Sequence, residues 1–374
     1  MKIALVHDFL TQYGGAERVL DNLCEIFPEA PIYTLIYNPE TMASHYGKKK
    51  IITSFLQKKP WATKKSRWYL PWMPAAIESF DFSKYDLVIS DASAFAKGII
   101  TLPKTLHICY CHTPTRYLWN ETTSYLKKAH IPWPINSMMP LVINYLRVWD
   151  YAASQRADYM IANSKYVKER IAKYYRRDAS VINPSVDTKQ FSPSNKKDDY
   201  YLMTGRLVSY KRYDIVVEAF NKMPDKKLFI AGSNVVAGSG VIDDSLEKLA
   251  TSKNIHFLGQ VSDEKLKKLY AEAKAYIFPA EEDFGITPLE AMASGTPVVA
   301  FGKGGATETV IDKKTGLFFA EQTPESVCDA IKKFETMTFK TADLVAQAQK
   351  FEKIIFKQKI KTYINKCINK RKDS

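Results

Sequence analysis

Short apolar runs alternate with segments of helical periodicity along most of the chain, and this alternation limits the folds available to it. A first series consists of the runs KIALVHDF, YDLVISD, LHICYCH, YMIANS and SVINP. A second series consists of YYLMTGR, KKLFIAG, NIHFLG, AYIFPA and TPVVAF. Buried β-branched strands that alternate with helices are typical of parallel sheets built from βαβ units. The sequence therefore predicts an α/β chain with two doubly wound, Rossmann-like domains.

The two series are separated by a segment rich in Pro, Ser, Asp and Lys, NPSVDTKQFSPSNKKDD. Such a composition is typical of a linker. We therefore predict an N-terminal domain over residues 1–190 and a C-terminal domain over residues 191–350, facing each other across a cleft. The last helical stretch, residues 351–374, is predicted to pack back on the N-terminal domain.

The composition is that of an ordinary globular protein, with 46% hydrophobic and 25% charged residues in a chain of 374. No apolar run has the length needed to span a bilayer, and the N-terminal MKIALVHDFL reads as a first strand rather than a signal peptide. Five cysteines without a regular framework indicate a reducing cytoplasm. The isolated C-x-C of Cys109 and Cys111 favours strand packing over a structural zinc site.

The net charge of +14 permits nucleic acid, an anionic membrane or a phosphorylated substrate as a partner. No nucleic-acid-binding motif is visible, so we expect no nucleic acid partner. Much of the charge lies in residues 48–72, where basic and aromatic side chains alternate. Its basic members are Lys48, Lys49, Lys50, Lys58, Lys59, Lys64, Lys65 and Arg67, and its aromatic members include Phe55, Trp61, Trp68 and Trp72.

This basic aromatic stretch, residues 48–72, has two interpretations. Lysines beside interfacial aromatic residues suit an anionic membrane surface. Alternatively the stretch is a solvated basic loop that packs in part into the first domain, with Trp72 near Pro71 and Pro74 as a candidate for burial. Under the membrane interpretation we expect the lysines to contribute more than the tryptophans.

Ligands of open α/β sheets bind beyond the carboxyl ends of the strands, and several candidate residues fall there. The Gly14–Gly15 turn lets a ligand approach amides at a helix N-terminus. Arg206 and Lys211 in GRLVSYKR suit two phosphates, although taken alone they read as solvated cations. His112 ends a strand and is a candidate donor to a reacting group, or else a structural histidine.

The stretch EEDFGITPLE links a predicted strand to a predicted helix with Pro288 in its first turn. The amides of residues 284–287 are then free to meet an anion or sugar hydroxyls. Ionised Glu282 and Glu290 accept hydrogen bonds only, which suits a hydroxyl-rich ligand. The alternative for Glu290 is an exposed helix face, but its apolar neighbours predict a carboxylate near the sheet edge that needs a partner.

Taken together, these motifs resemble the retaining GT-B glycosyltransferases of family 4, which include bacterial mannosyltransferases and sucrose synthases. The specific part is the E-x7-E of Glu282 and Glu290 within EDFGITPLEAMASGTPVVA. The segments that agree in order are GRLVSYKR, VINPSVDTKQF and HFLGQVSDEKLKKLYAEAKAYIFPA. Those similar to a branch acting in O-antigen and capsule assembly, often with GDP-mannose, are HDFLTQYGGAERVL, CHTPTRYLW and WDYAASQRADYMIANS.

The resemblance implies an acceptor-side N-terminal domain and a C-terminal domain that binds the nucleotide sugar. It makes His112 a contact of the donor sugar near the reacting carbon and Glu282 a contact of the transferred sugar, while Arg206 and Lys211 neutralise the diphosphate. Glu290 then binds the ribose, Gly15 lies against the diphosphate, and the base is held near Gln260 and Val261. The donor-binding residues it implies are Gly14, Gly15, Gln260, Val261, Phe284, Gly285, Ile286, Thr287 and Glu290.

The function implied is retaining, metal-independent transfer of a hexose, with mannose from GDP-mannose favoured, to a glycan acceptor that is lipid-linked. Fixed cations on the leaving group replace a metal, and the chain has no D-x-D motif, so no cofactor is expected. The enzyme would work in the cytoplasm, peripherally at the inner face of the cell membrane.

Alternatives to this function are a UDP-hexose or other nucleotide sugar as donor, a phosphorylase or epimerase, and a nucleotide-sugar-binding module without catalysis. The lysine-bound cofactor motif of glycogen phosphorylases is not recognisable, which disfavours that branch. The joint presence of the candidate catalytic residues argues against a degenerate enzyme.

Overall fold

The computed structural model describes residues 1–122, 135–232 and 244–372, with only the backbone described for residues 135–137. The chain divides into a first unit, Met1–Asn183 with Lys357–Ser374, and a second unit, Pro184–Phe356. The predicted boundaries after residues 190 and 350 differ from this division by a few residues. The reason is that the start of the linker pairs with the end of the second unit, where the Val186 amide donates to the Phe351 carbonyl at 2.9 Å.

The first unit contains a parallel sheet of seven strands in the order β3-β2-β1-β4-β5-β6-β7. Its strands are β1 (Ile3–Leu10), β2 (Ile32–Tyr37), β3 (Ile51–Thr53), β4 (Leu87–Ala92), β5 (Leu106–Cys111), β6 (Tyr159–Ala162) and β7 (Ser180–Val181). Its helices are α1 (Gly15–Ile26), α2 (Pro39–Tyr46), α3 (Met73–Glu78), α4 (Arg116–Trp119), α5 (Ile135–Ser154) and α6 (Lys165–Tyr175).

The second unit contains a parallel sheet of six strands in the order β10-β9-β8-β11-β12-β13. Its strands are β8 (Tyr200–Thr204), β9 (Lys227–Ala231), β10 (Ile255–Gly259), β11 (Ala275–Phe278), β12 (Val298–Phe301) and β13 (Gly316–Phe319). Its helices are α7 (Tyr213–Asn221), α8 (Ser245–Leu249), α9 (Asp263–Glu272), α10 (Ile286–Ala293), α11 (Ala306–Thr309), α12 (Pro324–Phe334) and α13 (Thr341–Gln349). The two parallel sheets confirm the predicted pair of Rossmann-like α/β domains.

The C-terminal helix α14 (Lys353–Lys372) lies with the first unit from Lys357 onwards. Lys357 forms an ion pair with Glu25. Further along the helix, the Tyr363 ring packs edge-on against Tyr159, with 6.5 Å between the ring centroids. None of the helices in the described ranges is both long and apolar enough to cross a membrane.

The strands form the apolar core of each unit, because nearly all residues of β4, β5, β11 and β12 are buried on both faces of their sheets. A polar residue inside this pattern needs a partner. Asp8 finds one in the turn after β4, where its carboxylate accepts four backbone N–H groups from Ser93 to Ala96 at 2.6 to 2.8 Å. This contact fixes the carboxyl end of β4 against β1.

The basic aromatic stretch lies partly in two short 3-10 helices, Phe55–Lys58 and Ser66–Trp72. Leu56, Ala62 and Leu70 are buried in the first unit, with Leu56 only 1% exposed. The alternative in which Trp72 is buried in the first unit is wrong, because its side chain is 62% exposed. Trp61 and Trp68 are 59% and 60% exposed, so the smaller residues anchor the stretch and leave the indole rings at the surface.

Candidate functional site

In the second unit, the predicted cation and carboxylate meet at the carboxyl edge of the sheet. Lys211 ends a short helical turn after β8, Glu282 lies in the loop after β11, and these two strands are neighbours. The Lys211 Nζ is 3.0 Å from the Glu282 Oε1, and the two side chains are only 15% and 17% exposed. The distance is that of an ion pair, but the angles are not those of a hydrogen bond, and Glu282 Oε1 makes no hydrogen bond.

The electrostatics of this pair keep Lys211 cationic. Burial alone would lower the pKa of the Lys211 ammonium, but the charge of Glu282 outweighs that effect and raises the pKa above its ordinary value. A fixed cation beside a carboxylate with unused acceptor capacity is an arrangement that can bind an anion and a hydroxyl-rich group side by side.

The loop that carries Glu282 is held by close backbone contacts. Gly285 has φ +82°, a conformation that favours glycine, and a side chain there would also strike the Phe278 ring. The Gly305 amide donates to the Glu282 carbonyl at 2.8 Å, and a Cβ on Gly305 would come within 2.2 Å of the Phe284 Cα. Gly305, in the turn after β12, is a residue that the sequence analysis did not single out. Because it has no side chain, its turn packs directly against the loop that carries Glu282.

Gly285 immediately precedes α10, an eight-residue helix that begins at Ile286 and includes Thr287 in its first turn. Amides at the start of a helix have no intrahelical acceptor, so those of Ile286 and Thr287 are available to a ligand. Phe284 itself is buried, and its ring packs against Phe351 at a centroid distance of 5.6 Å. Its side chain thus anchors the loop, which leaves only its backbone for the predicted contact with sugar and phosphate.

Glu290 is buried, with 2% exposure, so the alternative of an exposed helix face is wrong. The Tyr270 hydroxyl donates to the Glu290 Oε2 at 3.0 Å and lies 2.6 Å from the Thr204 hydroxyl. Burial and the nearby carboxylate hold the pKa of Tyr270 well above its ordinary value, so the phenol stays a donor. Glu290 has the partner that its apolar neighbours predicted, and its contact with a ribose stays a prediction.

Arg206, Gln260 and Val261 also follow strands of the second sheet. Arg206 comes directly after β8 and the following glycine, is exposed, and has no side-chain partner in the described part of the chain. Gln260 is exposed and Val261 half-buried in the turn after β10. Because β9 separates β10 from β8 in the sheet, Gln260 and Arg206 lie two strands apart along the same edge.

In the first unit, His112 belongs to a buried series of alternating acids and histidines that the sequence analysis did not predict. The His112 Nε2 is 2.6 Å from Asp91 Oδ1, and the other Asp91 oxygen is 2.8 Å from the His7 Nδ1. The His7 Nε2 is in turn 3.2 Å from the Glu17 Oε1 in the first turn of α1. We refer to Glu17, His7, Asp91 and His112 as the acid–histidine chain.

The charges of the acid–histidine chain compensate one another. Burial alone would raise the pKa of Asp91, which is fully buried, but the neighbouring His112 and His7 hold it below its ordinary value. Burial alone would lower the pKa of His7, but its hydrogen bonds with Asp91 and Glu17 raise it to about 10. At neutral pH the acid–histidine chain therefore contains an ionised Asp91 beside an imidazolium at His7.

The Gly14–Gly15 turn lies next to this chain. Gly14 is extended, with φ −159°, so any residue can adopt its backbone conformation. A Cβ there would come within 3.3 Å of the second Glu17 oxygen, Oε2, which is a tight contact. Gly15 begins the 12-residue helix α1. The turn is thus close to a carboxylate as well as to the first amides of the helix.

A second buried ion pair in the first unit holds the CHTPTRYLW segment. Lys97 is fully buried, its Nζ is 2.6 Å from Asp150 Oδ1, and it also contacts the Thr115 hydroxyl. Asp150 accepts further hydrogen bonds from Thr115, Trp119 and Tyr175. The Asp150 carboxylate therefore joins the WDYAAS and CHTPTRYLW motifs and fixes the turn after His112. The sequence analysis gave these motifs no role beyond their similarity to a family branch.

Two family models match consecutive parts of the chain. A model of glycosyl transferases group 1 matches residues 186–351, and a model of Glycosyltransferase Family 4 matches residues 13–190.

Curated relatives include mannosyltransferases. Alpha-1,3/1,6-mannosyltransferase ALG2 of Kluyveromyces lactis is 26% identical, with the match covering 83% of this chain and 71% of the relative. O-antigen chain mannosyltransferase RfbU of Salmonella typhimurium is 30% identical over 51% of this chain and 55% of the relative. D-inositol 3-phosphate glycosyltransferase of Mycobacteroides abscessus is 29% identical over 47% of this chain and 44% of the relative. The chain thus spans about half the length of the last two relatives.

Solved structures with the same fold cover almost all of the chain. Sucrose-phosphate synthase from Thermosynechococcus elongatus aligns with a TM-score of 0.72 and 17% identity over 98% of this chain and 99% of its own. HepE from Anabaena, in complex with UDP, aligns with a TM-score of 0.70 and 18% identity over 98% of this chain and 100% of its own. At such identities the likeness shows the fold alone.

Proposed function

The chain is a glycosyltransferase of the group 1/family 4 type with the GT-B fold, and we propose that it transfers a hexose from a nucleotide sugar to a glycan acceptor, with retention of configuration and without a metal. The favoured donor is GDP-mannose, and the acceptor is a lipid-linked oligosaccharide of a cell-surface polysaccharide. The observation that carries the proposal is the pairing of Lys211 with Glu282 beside the glycine-initiated helix α10.

A nucleotide sugar presents a diphosphate next to a ring of hydroxyl groups. The second unit offers matching chemistry along one sheet edge: Lys211 and Arg206 for the diphosphate, and Glu282 with the first amides of α10 for the sugar. Since Lys211 pairs with Glu282 at 3.0 Å, a diphosphate that binds Lys211 replaces one anionic partner by another. Lys211 is therefore already cationic when the diphosphate binds, and no protonation step is needed before catalysis.

The bond that breaks joins the anomeric carbon to the leaving diphosphate, and the bond that forms joins the same carbon to an acceptor oxygen. As the old bond breaks, positive charge develops on the sugar ring and negative charge on the diphosphate. Preorganised cations at Lys211 and Arg206 stabilise the departing group. The proton of the acceptor hydroxyl moves to the leaving phosphate on the same face of the sugar, so a protein base is not required. His112 and Gly15 of the first unit keep the roles that the family resemblance gives them.

The choice of mannose rests on relatives. ALG2 and RfbU are named as mannosyltransferases, and ALG2 matches most of this chain. The alternative is a UDP-hexose, since the fold is shared with HepE, whose structures contain UDP and UDP-glucose. The donor experiment below decides between the two nucleotides.

We further propose that the enzyme binds the anionic cytoplasmic surface of the cell membrane, where a lipid-linked acceptor would be reached. Support comes from the basic aromatic stretch, in which Trp61, Trp68 and Trp72 are all more than half exposed. The Lys65 Nζ lies 4.4 Å from the centroid of the Trp68 ring, so charge and aromatic surface are presented together. Lysines near an anionic surface contribute about 1 kcal/mol each, which gives reversible binding.

The function is tested by incubating the protein with GDP-mannose, UDP-glucose, UDP-galactose and UDP-N-acetylglucosamine and measuring release of the nucleoside diphosphate, with and without EDTA. We expect slow release from GDP-mannose that EDTA leaves intact. Release from a UDP-sugar but not from GDP-mannose would show that the donor is a UDP-sugar. Activity that EDTA abolishes and Mn²⁺ restores would contradict the mechanism, and no release from any donor, with none raising the melting temperature, would contradict the function.

A further inference from the structure

The acid–histidine chain ends at one ring nitrogen of His112 that no group in the described residues contacts. The His112 Nε2 is bound to Asp91, whereas the His112 Nδ1 has no partner in the described part of the chain and is reachable by solvent. An ionised carboxylate only accepts hydrogen bonds, so Nε2 must carry a hydrogen. A neutral His112 therefore presents Nδ1 as an acceptor, and a protonated one presents it as a donor.

The state of His7 follows from the same rule. Its two ring nitrogens lie 2.8 Å and 3.2 Å from carboxylate oxygens of Asp91 and Glu17. Both partners are acceptors when ionised, and imidazole donates from both nitrogens only as the imidazolium ion. His7 is thus a fixed cation between two anions, and it neutralises part of the Asp91 charge that His112 experiences.

We propose that Asp91, His7 and Glu17 are positioning residues that hold His112 as its Nε2–H form and direct its Nδ1 at the ligand. The nature of that ligand rests on the proposed function. It is either a sugar hydroxyl, which donates to neutral Nδ1, or a phosphate oxygen, which accepts from protonated Nδ1. Because Glu17 lies in the first turn of α1, close to Gly14, the acid–histidine chain also links His112 to the start of that helix.

The titratable groups that face His112 come from each element packed around it. Asp91 contacts it from β4, and the Tyr110 ring of β5 lies 5.1 Å away between centroids. His7 from β1 and Glu17 from α1 act on it through Asp91. Burial raises the pKa of Tyr110 well above its ordinary value, so this phenol stays neutral and does not compete. Within the described residues, the charged groups that act on His112 therefore belong to the acid–histidine chain.

The first test uses the ligand-free protein and two-dimensional ¹H–¹⁵N NMR of the histidine side chains, of which the sequence has six. His112→Gln and His7→Gln assign the two signals by their disappearance. We expect the Nε2–H pattern for neutral His112 and a doubly protonated His7 at pH 7.5. A His112 that carries its hydrogen on Nδ1, or a neutral His7, would overturn the proposal.

The second test compares Asp91→Asn with Ser90→Ala. Ser90 is the matched control, because its hydroxyl makes a buried 2.8 Å bond to His107 from the adjacent position of β4. For Asp91→Asn we expect mixed His112 tautomers and a kcat lowered on the order of 10–100-fold, with the donor KM within about threefold. For Ser90→Ala we expect an unchanged tautomer and pH–rate profile, even if the melting temperature falls. If both variants lost kcat equally and kept the same pH–rate profile, the acid–histidine chain would have only a structural role, and the proposal would be overturned.

The third test uses His7→Gln, which removes the cation but leaves Asp91 in place. The full charge of Asp91 then acts on His112 and favours its cationic form, so the limb of the pH–rate profile that follows His112 should move to higher pH. An unmoved limb would contradict the coupling. The NMR result needs no donor, so it stands or falls separately from the proposed function.

Discussion

The two units hold their candidate residues in opposite ways. In the second unit Lys211 and Glu282 form a pair at 3.0 Å that is partly exposed, and Glu282 Oε1 has no hydrogen bond. In the first unit Asp91 is fully buried, and each of its oxygens is bound to a different imidazole. The first arrangement leaves capacity for a ligand, while the second is complete except at His112 Nδ1. Under the proposed function, the comparison separates groups that would exchange partners during the reaction from groups that hold another residue in place.

This difference predicts different consequences of losing one member. Under the proposed function, losing Lys211 of the second unit removes a charge that binds the diphosphate directly, so the effect is expected in the chemical step. In the first unit a lost member leaves a buried charge without its partner, so stability and the state of His112 change together.

The largest effect is expected for Lys211→Ala. Removing this cation should lower kcat/KM on the order of 100-fold or more, through a loss of ~3 kcal/mol of stabilisation of the departing diphosphate. The control is Lys222→Ala, which removes an exposed lysine paired with Glu325 at 2.5 Å in the same unit. We expect the control to stay within about twofold of wild type. Steady-state kinetics that find Lys211→Ala as active as the control would show that the pair is not part of the site.

A smaller effect concerns stability and pH in the first unit. The pKa of His7 is raised to about 10 in the folded protein, above its ordinary value of 6.5. A raised pKa stabilises the fold below about pH 6.5, and this stabilisation is lost as the pH rises through about 10. Urea unfolding at pH 7 and pH 10 should therefore show a loss in free energy of unfolding of about 2–3 kcal/mol more for wild type than for His7→Gln. Equal losses in the two proteins would mean that His7 is not charged in the fold.

The pattern of polar residues explains which parts of both sites could be predicted. Lys211, Arg206 and Glu282 follow strands directly, so a sequence that predicts the strands also predicts their place at the carboxyl edge. His7 and Asp91 lie inside apolar runs, where a polar residue signals only that a partner exists. They are 84 positions apart and become neighbours because β1 pairs with β4 in a register that sets His7 opposite Asp91. The register between two strands cannot be read from their sequences, so the sequence analysis does not predict the acid–histidine chain.

The fold was easier to predict than the surface. Continuous buried runs such as LHICYCH and TPVVAF predict parallel strands because both faces of such strands are covered. The tryptophans of the basic aromatic stretch carry no such periodicity, and their size favours burial in a sequence-based analysis. The structure instead buries Leu56 and Leu70 in the core of the first unit and leaves the indole rings exposed.

The smallest effect is expected for membrane binding. Changing Lys58, Lys59, Lys64 and Lys65 to Glu should weaken binding to vesicles containing phosphatidylglycerol by about tenfold or more in 0.1 M salt, because screening over a Debye length of about 10 Å leaves only part of the ~1 kcal/mol that each lysine contributes close to the surface. The matched control reverses four exposed lysines of the second unit, Lys248, Lys253, Lys332 and Lys333, which gives the same net charge. Sedimentation that shows equal binding for both variants, or no preference for anionic lipid, would exclude this stretch as the contact.

The central claim is that the chain transfers a hexose from a nucleotide sugar with retention of configuration. The most direct measurement is the anomeric configuration of the first product formed from an α-configured donor such as GDP-mannose, read from the one-bond C1–H1 coupling by NMR. The proposed reaction predicts an α-linked product, because the acceptor attacks on the face that the diphosphate leaves. A β-linked product would contradict the account.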